Sequence, residues 1–169
     1  VDPIRDIETI DTELMLADLE TVEAALDKAR RTARTGEREA KARLALLDQC
    51  RVRLSAGNPI RGMDLSPDDA KLLKGFGLLT AKKVLYVANV DEDHLDGTGD
   101  YVQQVRQRAD AENGLAVAVC AKLESELAEL DEADRLELLE SVGLGEPALA
   151  VLTRQAYQLL GLHSYFTAG

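Results

Sequence analysis

The sequence predicts an α/β protein that is predominantly helical and carries an antiparallel, coiled-coil-like helical hairpin. Val84-Leu85-Tyr86-Val87-Ala88 and Leu115-Ala116-Val117-Ala118-Val119 are continuous apolar runs, the pattern of strands buried on both faces. Met15, Leu19, Val22, Leu26, Ala29 and Ala33 recur at alternating spacings of four and three, which lines one helical face with a coiled-coil-like seam. At 169 residues and 46% hydrophobic composition, the chain can bury a real core as one domain, or one domain with a small excursion.

Taken in order, residues 1–60 read as the hairpin. No Gly or Pro interrupts Ile4 to Thr35, and the first helix is expected from near Thr9 to about Arg34, ~39 Å long at 1.5 Å per residue. Thr35-Gly36 reads as the tight turn. Ala40, Leu44, Leu47 and Leu54 form a second seam ending at Gly57, a natural residue just past a helix, before Asn58-Pro59. Residues 61–82 read as a connector with one short helix: Ser66 caps it, Pro67 takes its first position, Asp69 follows three after the cap, and Gly75 and Gly77 end it. The alternation of Leu with polar residues from Leu65 to Leu79 predicts packing against the sheet.

Residues 83–163 form the next segment. Asp100 to Glu112 predicts a helix closing at Gly114, which makes the two apolar runs and this helix a right-handed β-α-β unit. Asp131-Glu-Ala-Asp134 is an N-terminal helix signature ending at Gly143, and Pro147 opens a further helix that closes at Gly161.

The formal net charge of −11 argues against a generally basic nucleic-acid binder, yet the charge is unevenly placed. Residues 1–27 hold nine acids against one base, whereas residues 28–53 hold nine bases (Lys28, Arg30, Arg31, Arg34, Arg38, Lys41, Arg43, Arg51, Arg53) against three acids. Hairpin geometry gathers Arg30, Arg31, Arg34, Arg38, Lys41 and Arg43 at the tip, tens of ångströms (~30 Å or more) from Asn89. Such a face is often merely solvated. The functional reading is contact with RNA phosphates, which clustered Lys and Arg neutralise with release of counterions. No aromatic residue interleaves with these bases, so structured RNA suits the tip better than unpaired bases.

The longest apolar run, Leu115 to Ala121, falls far short of the ~20 residues of a spanning helix, so no membrane partner is expected. Cys50 and Cys120 on different elements fit two reduced thiols and a cytoplasmic location. His94 and His163 are too isolated for a metal site. Asp91, Asp93 and Asp96 lack the Gly and terminal Glu of a calcium loop. No Cys/His or Ser/His/Asp spacing marks an independent catalytic centre.

The candidate site lies where the runs end. Asn89-Val90-Asp91-Glu92 follows the first and Cys120-Ala121-Lys122 the second. Ligands of open α/β sheets sit outside the carboxyl ends of the strands, so both loops can face one purine base. Alone, Asn-x-x-acid is also an ordinary surface turn. The order strand, Asn-x-x-acid, helix, strand, small-Ala-Lys resembles the fourth and fifth motifs of P-loop GTPases. A guanine-reading loop has Asn-Lys-x-Asp, whose Asp accepts from the ring N–H and the exocyclic amine; here Val90 replaces the Lys and Glu92 the Asp.

With Val1-Asp-Pro-Ile-Arg-Asp-Ile-Glu, Glu13-Leu-Met-Leu-Ala-Asp-Leu-Glu, Tyr86-Val-Ala-Asn-Val-Asp-Glu and Tyr165-Phe-Thr-Ala-Gly, nearly the whole chain resembles the Obg-like ATPase (YchF) family. The resemblance implies an ATP-preferring P-loop NTPase of GTPase lineage, associated with ribosomes, that binds ATP and Mg2+. It implies that residues 83–163 are the C-terminal half of the nucleotide domain, residues 1–60 a helical insertion, and 164–169 the start of a TGS domain. The phosphate loop and switches would lie upstream of Val1. No G-x-x-x-x-G-K-[ST] is present, and such a loop is what cradles phosphates. This chain alone is therefore expected neither to hydrolyse nucleotide nor to bind it tightly, and to self-associate through strand edges stripped of neighbours.

By the same resemblance Asn89 reads the base, Ala121 offers its backbone N–H, and Lys122 covers the ring, although Lys122 equally suits a solvated strand-end lysine. Val90 is expected to offer an apolar surface to the ring. Glu92 is displaced from guanine's donors. A non-enzymatic helical adaptor using the basic hairpin remains the alternative.

Overall fold

The structure, a computed structural model, describes residues 2–33, 38–163 and 165. Two compact units are present. One spans Arg5–Lys82; the other begins at Lys83 and includes the first residues of the N-terminal helix.

The hairpin unit is built on α1 (Pro3–Ala33) and α2 (Arg38–Ser55). Helix α1 starts at Pro3, not near Thr9. A proline suits the first turn, where its missing N–H has no intrahelical partner and its φ is preset. Thr9 and Thr12 do not cap; their hydroxyls donate to the carbonyls of Arg5 and Glu8, at 2.9 and 2.7 Å, as mid-helix threonines do. Arg34 and the expected Thr35-Gly36 turn lie outside the described residues.

Both seams form. Val22, Leu26 and Ala29 of α1 share one core with Leu46, Leu47, Cys50 and Leu54 of α2, with Met15, Leu19 and Leu44 half-buried against it. Each fully buried leucine stabilises by about 2 kcal/mol. Helix α2 ends in a Schellman motif: the Asn58 N–H donates to Arg53 O at 3.1 Å and the Gly57 N–H to Leu54 O at 2.9 Å. Gly57 has φ +74°, a conformation a side chain resists.

Residues 61–82, expected to pack against the sheet, belong to the hairpin unit. Ile60, Leu73 and Leu78 are buried in the hairpin's own core, with Leu65, Leu72 and Phe76 against it. Buried polar groups hold them there. Asp18, 2% exposed, accepts from Leu79 N, Thr80 N and Thr80 Oγ1 at 2.7, 2.7 and 2.6 Å. Thr80 Oγ1 in turn accepts from Ile60 N at 3.2 Å. Arg61 reaches Asp11 at 2.9 Å. Helix α3 (Pro67–Lys74) carries the expected cap, with Ser66 accepting from Asp69 N.

The second unit contains β1 (Leu85–Asn89), α4 (Asp100–Ala111), β2 (Leu115–Val119), α5 (Ala121–Glu129), α6 (Glu132–Ser141) and α7 (Ala148–Leu160). β1 and β2 pair in parallel, Leu85 opposite Leu115 through Asn89 opposite Val119. At the turn into β2, a Cβ on Gly114 would lie 2.7 Å from Val84 Cγ1 and 2.8 Å from Val84 O, so only glycine fits. The strands are not buried on both faces. Val117 alone among their residues is buried, and Val87 and Asn89 are exposed, residues that share one face by the period of two. Glu124 of α5 caps α7, accepting from Ala148 N at 2.7 Å and Leu149 N at 3.3 Å. Among the described residues no helix is long and apolar enough to cross a membrane.

Candidate base-binding site and basic patch

The parallel register brings the ends of β1 and β2 side by side, and the chain leaves them in different ways. Beyond Asn89, the Val90 N–H extends the ladder by donating to Val119 O at 2.9 Å. Residues Glu92–His94 then form a 3₁₀ turn. Beyond Val119 there is no second loop: Cys120 alone separates the strand from α5, whose first residue is Ala121. A polar residue was needed in the sequence to announce this helix start, and the buried Cys120 makes no side-chain cap.

Asn89 Oδ1 accepts from Ala121 N at 3.2 Å. This bond joins the two strand ends. It also fixes the carboxamide, leaving the Nδ2 donors without a protein acceptor among the described residues and the Oδ1 with a second lone pair. Glu92 Oε1 lies 2.8 Å from Lys122 Nζ, both side chains largely exposed. The Glu92 hydrogen bond and charge, then the charge of Glu126, hold the Lys122 ammonium above the ordinary lysine range. Lys122 is thus drawn to Glu92, and only its stem is free to lie over a ring. Val90 is half-buried against Cys120, Leu123, Leu127 and Leu139, so it seats the loop on α5, and only its exposed fraction can face a base.

The surroundings favour one direction of approach. Beyond Glu92 lies a cleft lined by Asp93, Asp96 and Glu126 over Leu123 and Leu138, whose carboxylates repel phosphates. Asp96 is held below the usual carboxylate range by the Thr98 N–H and hydroxyl, and so stays ionised. Among the described residues no group of His, Cys, Asp and Glu forms a metal site.

In the hairpin unit the basic residues divide. Arg30 is 3.7 Å from Asp27 and 3.9 Å from Asp48, exposed pairs of little energetic weight that still partly cancel its charge. Arg31, Arg38 and Lys41 are exposed and have no carboxylate partner among the described residues. Arg43 holds its guanidinium 4.7 Å from the centroid of the Phe76 ring. An aromatic therefore does meet the basic segment. Phe76 arrives from 33 positions further along, and no local spacing in the sequence signals it.

No family model matches the chain. Proteins named ribosome-binding ATPase YchF do: that of Pasteurella multocida is 40% identical over all 169 residues, that of Escherichia coli O157:H7 is 42% identical over the same length, and that of Bacillus subtilis is 42% identical over 171 aligned positions. Each match covers the whole chain and 46–47% of the relative. Among solved structures, the Schizosaccharomyces pombe YchF GTPase superposes over the full chain and 47% of its own, with a TM-score of 0.86 and 28% identity. Sequence and fold agree across bacteria and a yeast. The chain belongs to the YchF family and spans about half the length of the relatives it matches.

Proposed function

We propose that this chain supplies the base-reading site and a partner-binding hairpin of a ribosome-associated P-loop NTPase that prefers ATP. The observation that carries the reading is the Asn89 to Ala121 hydrogen bond, which builds one site from two strand ends. With Oδ1 anchored there, Nδ2 donates to purine N7, and the second Oδ1 lone pair accepts from the adenine amino group. Guanine presents N1–H and an amino group instead. Glu92, engaged by Lys122, does not serve them, and unpaired donors are costly. The bacterial relatives are named ATPases and the yeast structure a GTPase, so nucleotide preference is the point to measure. In the intact protein ATP arrives with Mg2+, which neutralises charge on the phosphates. Asn89, Val90, Glu92 and Lys122 handle the base, while the Ala121 N–H, expected to line the base itself, is given to Asn89 and positions it.

The hairpin reading rests on Arg31, Arg38 and Lys41, which have no carboxylate partner among the described residues, with Arg34 in the same sequence cluster. These would meet ribosomal RNA phosphates, in the cytoplasm where ribosomes work.

Titration calorimetry on the full-length protein tests the base site. ATP is expected to bind at least tenfold more tightly than GTP, and Val90→Lys with Glu92→Asp to move preference toward GTP. Equal affinities in the parent overturn the reading. Ribosome co-sedimentation tests the hairpin: replacing Arg31, Arg34, Arg38 and Lys41 with Gln should weaken binding, flatten its salt dependence and leave ATP affinity unchanged.

A further inference from the structure

Beside the basic segment, the hairpin unit opens a groove of about 680 Å³ lined by Ala24, Ala25, Lys28, Ala29, Arg43 and Phe76. Its chemistry is unusual for this protein. The floor is made of small side chains, the alanines with Thr21 and Thr32 beside them, low enough for a planar ring to lie against. One wall is the Arg43 guanidinium stacked on Phe76, a cation and a π face side by side. Lys28 is exposed at the rim, with no carboxylate partner among the described residues. Elsewhere the chain is strongly acidic, at −11 overall, so a polyanion is repelled from most of the surface and admitted here.

We propose that this groove takes an unpaired base of single-stranded RNA, stacked against the Arg43–Phe76 pair, with its phosphate on Lys28. This rests on the hairpin's reading as an RNA contact and deepens it from backbone attraction to recognition of single strands. The volume accommodates a nucleotide, whereas a duplex is too wide to enter. A helix of a protein partner would require sockets for large apolar side chains, and a floor of alanines and threonines under two cations offers few. Base–aromatic stacking tolerates any sequence, since every base has a π face.

Fluorescence anisotropy with the 169-residue chain tests it, using labelled eight-nucleotide oligouridine against a labelled RNA duplex of equal charge. The single strand is expected to bind about tenfold more tightly. Phe76→Leu should remove about tenfold of that affinity and spare the duplex, while Phe76→Tyr retains it. Because Phe76 also touches the core, Arg43→Gln provides the same reading without altering the core. Lys28→Gln should lower the slope of log K against log salt by about 0.7. Equal affinity for single strand and duplex overturns the proposal, as does binding unchanged by both Phe76→Leu and Arg43→Gln. If the fourfold Gln variant of the tip loses ribosomes while those two variants bind normally, the tip reading stands and the groove falls; the reverse pattern keeps the groove and removes the tip.

Discussion

The two units are built on opposite principles. In the hairpin unit all six of the largest fully buried side chains occur together: Leu26, Leu47, Ile60, Val22, Thr80 and Cys50. In the β-α-β unit the strands are only half covered, Val87 is 51% exposed, and α7 buries no residue while showing Leu149 and Leu160 to solvent. A helical seam covers itself from consecutive sequence. A two-stranded sheet cannot, since each strand presents two faces and an unpaired edge. The difference teaches that the unit carrying the candidate base site leaves its sheet half covered, whereas the hairpin unit gathers a core of its own.

The sharpest way to break this contrast is Asp18→Ala. Removing a buried carboxylate that accepts three hydrogen bonds strands the N–H groups of Leu79 and Thr80 and should cost about 4 kcal/mol. Urea unfolding followed by circular dichroism reads it, and a loss under 1 kcal/mol would mean the fastener is dispensable. Next, Leu47→Ala should cost about 3 kcal/mol, while Val87→Thr in the other unit stays within about 0.5 kcal/mol; comparable losses at the two positions would erase the distinction.

A third test uses pH. Burial pushes the Cys50 thiol from 9.0 up to about 11. The unfolded thiol ionises first, so the folded state binds more protons between these values. Stability from this group is whole below pH 9 and is lost as pH rises toward 11, on the order of 2 kcal/mol. Cys50→Ala should flatten that part of the stability profile; an unchanged slope would relocate its cause. Fourth and smaller, Glu124→Ala removes the cap on α7 and should cost about 1 kcal/mol, visible as faster amide exchange at Ala148 and Leu149. Finally, half-covered strands should make the chain associate weakly with itself. Light scattering over a concentration series reads this, and a strict monomer throughout would show the helices cover the sheet well enough.

What could be read from the sequence was local. The seams of Val22, Leu26 and Leu47, the Ser66 cap, and the strand–helix–strand order all repeat within a few residues, where periodicity and capping chemistry act. What escaped was held by distance. Asp11 with Arg61 and Asp18 with Thr80 join parts far apart in sequence, and they fasten residues 61–82 to the hairpin. The Arg43–Phe76 contact was hidden likewise. At the site, Asn89 and Ala121 meet as strand register requires, yet the immediate start of α5 was masked because Cys120 is no ordinary cap. The start of α1 also lies earlier than near Thr9, because Pro3 opens the helix.

Asp18 also imposes an order in time. The backbone groups it fastens lie 61 and 62 positions later, and at about 5–20 residues per second a ribosome takes roughly 3–12 s to deliver them. Through that interval the carboxylate lacks these partners, while α1 and α2 already have the contacts closer in sequence available to them. Leu79 and Thr80 can dock only when they emerge. Birth order thus bounds closing order: both sides of the seam exist before the strap that fastens them.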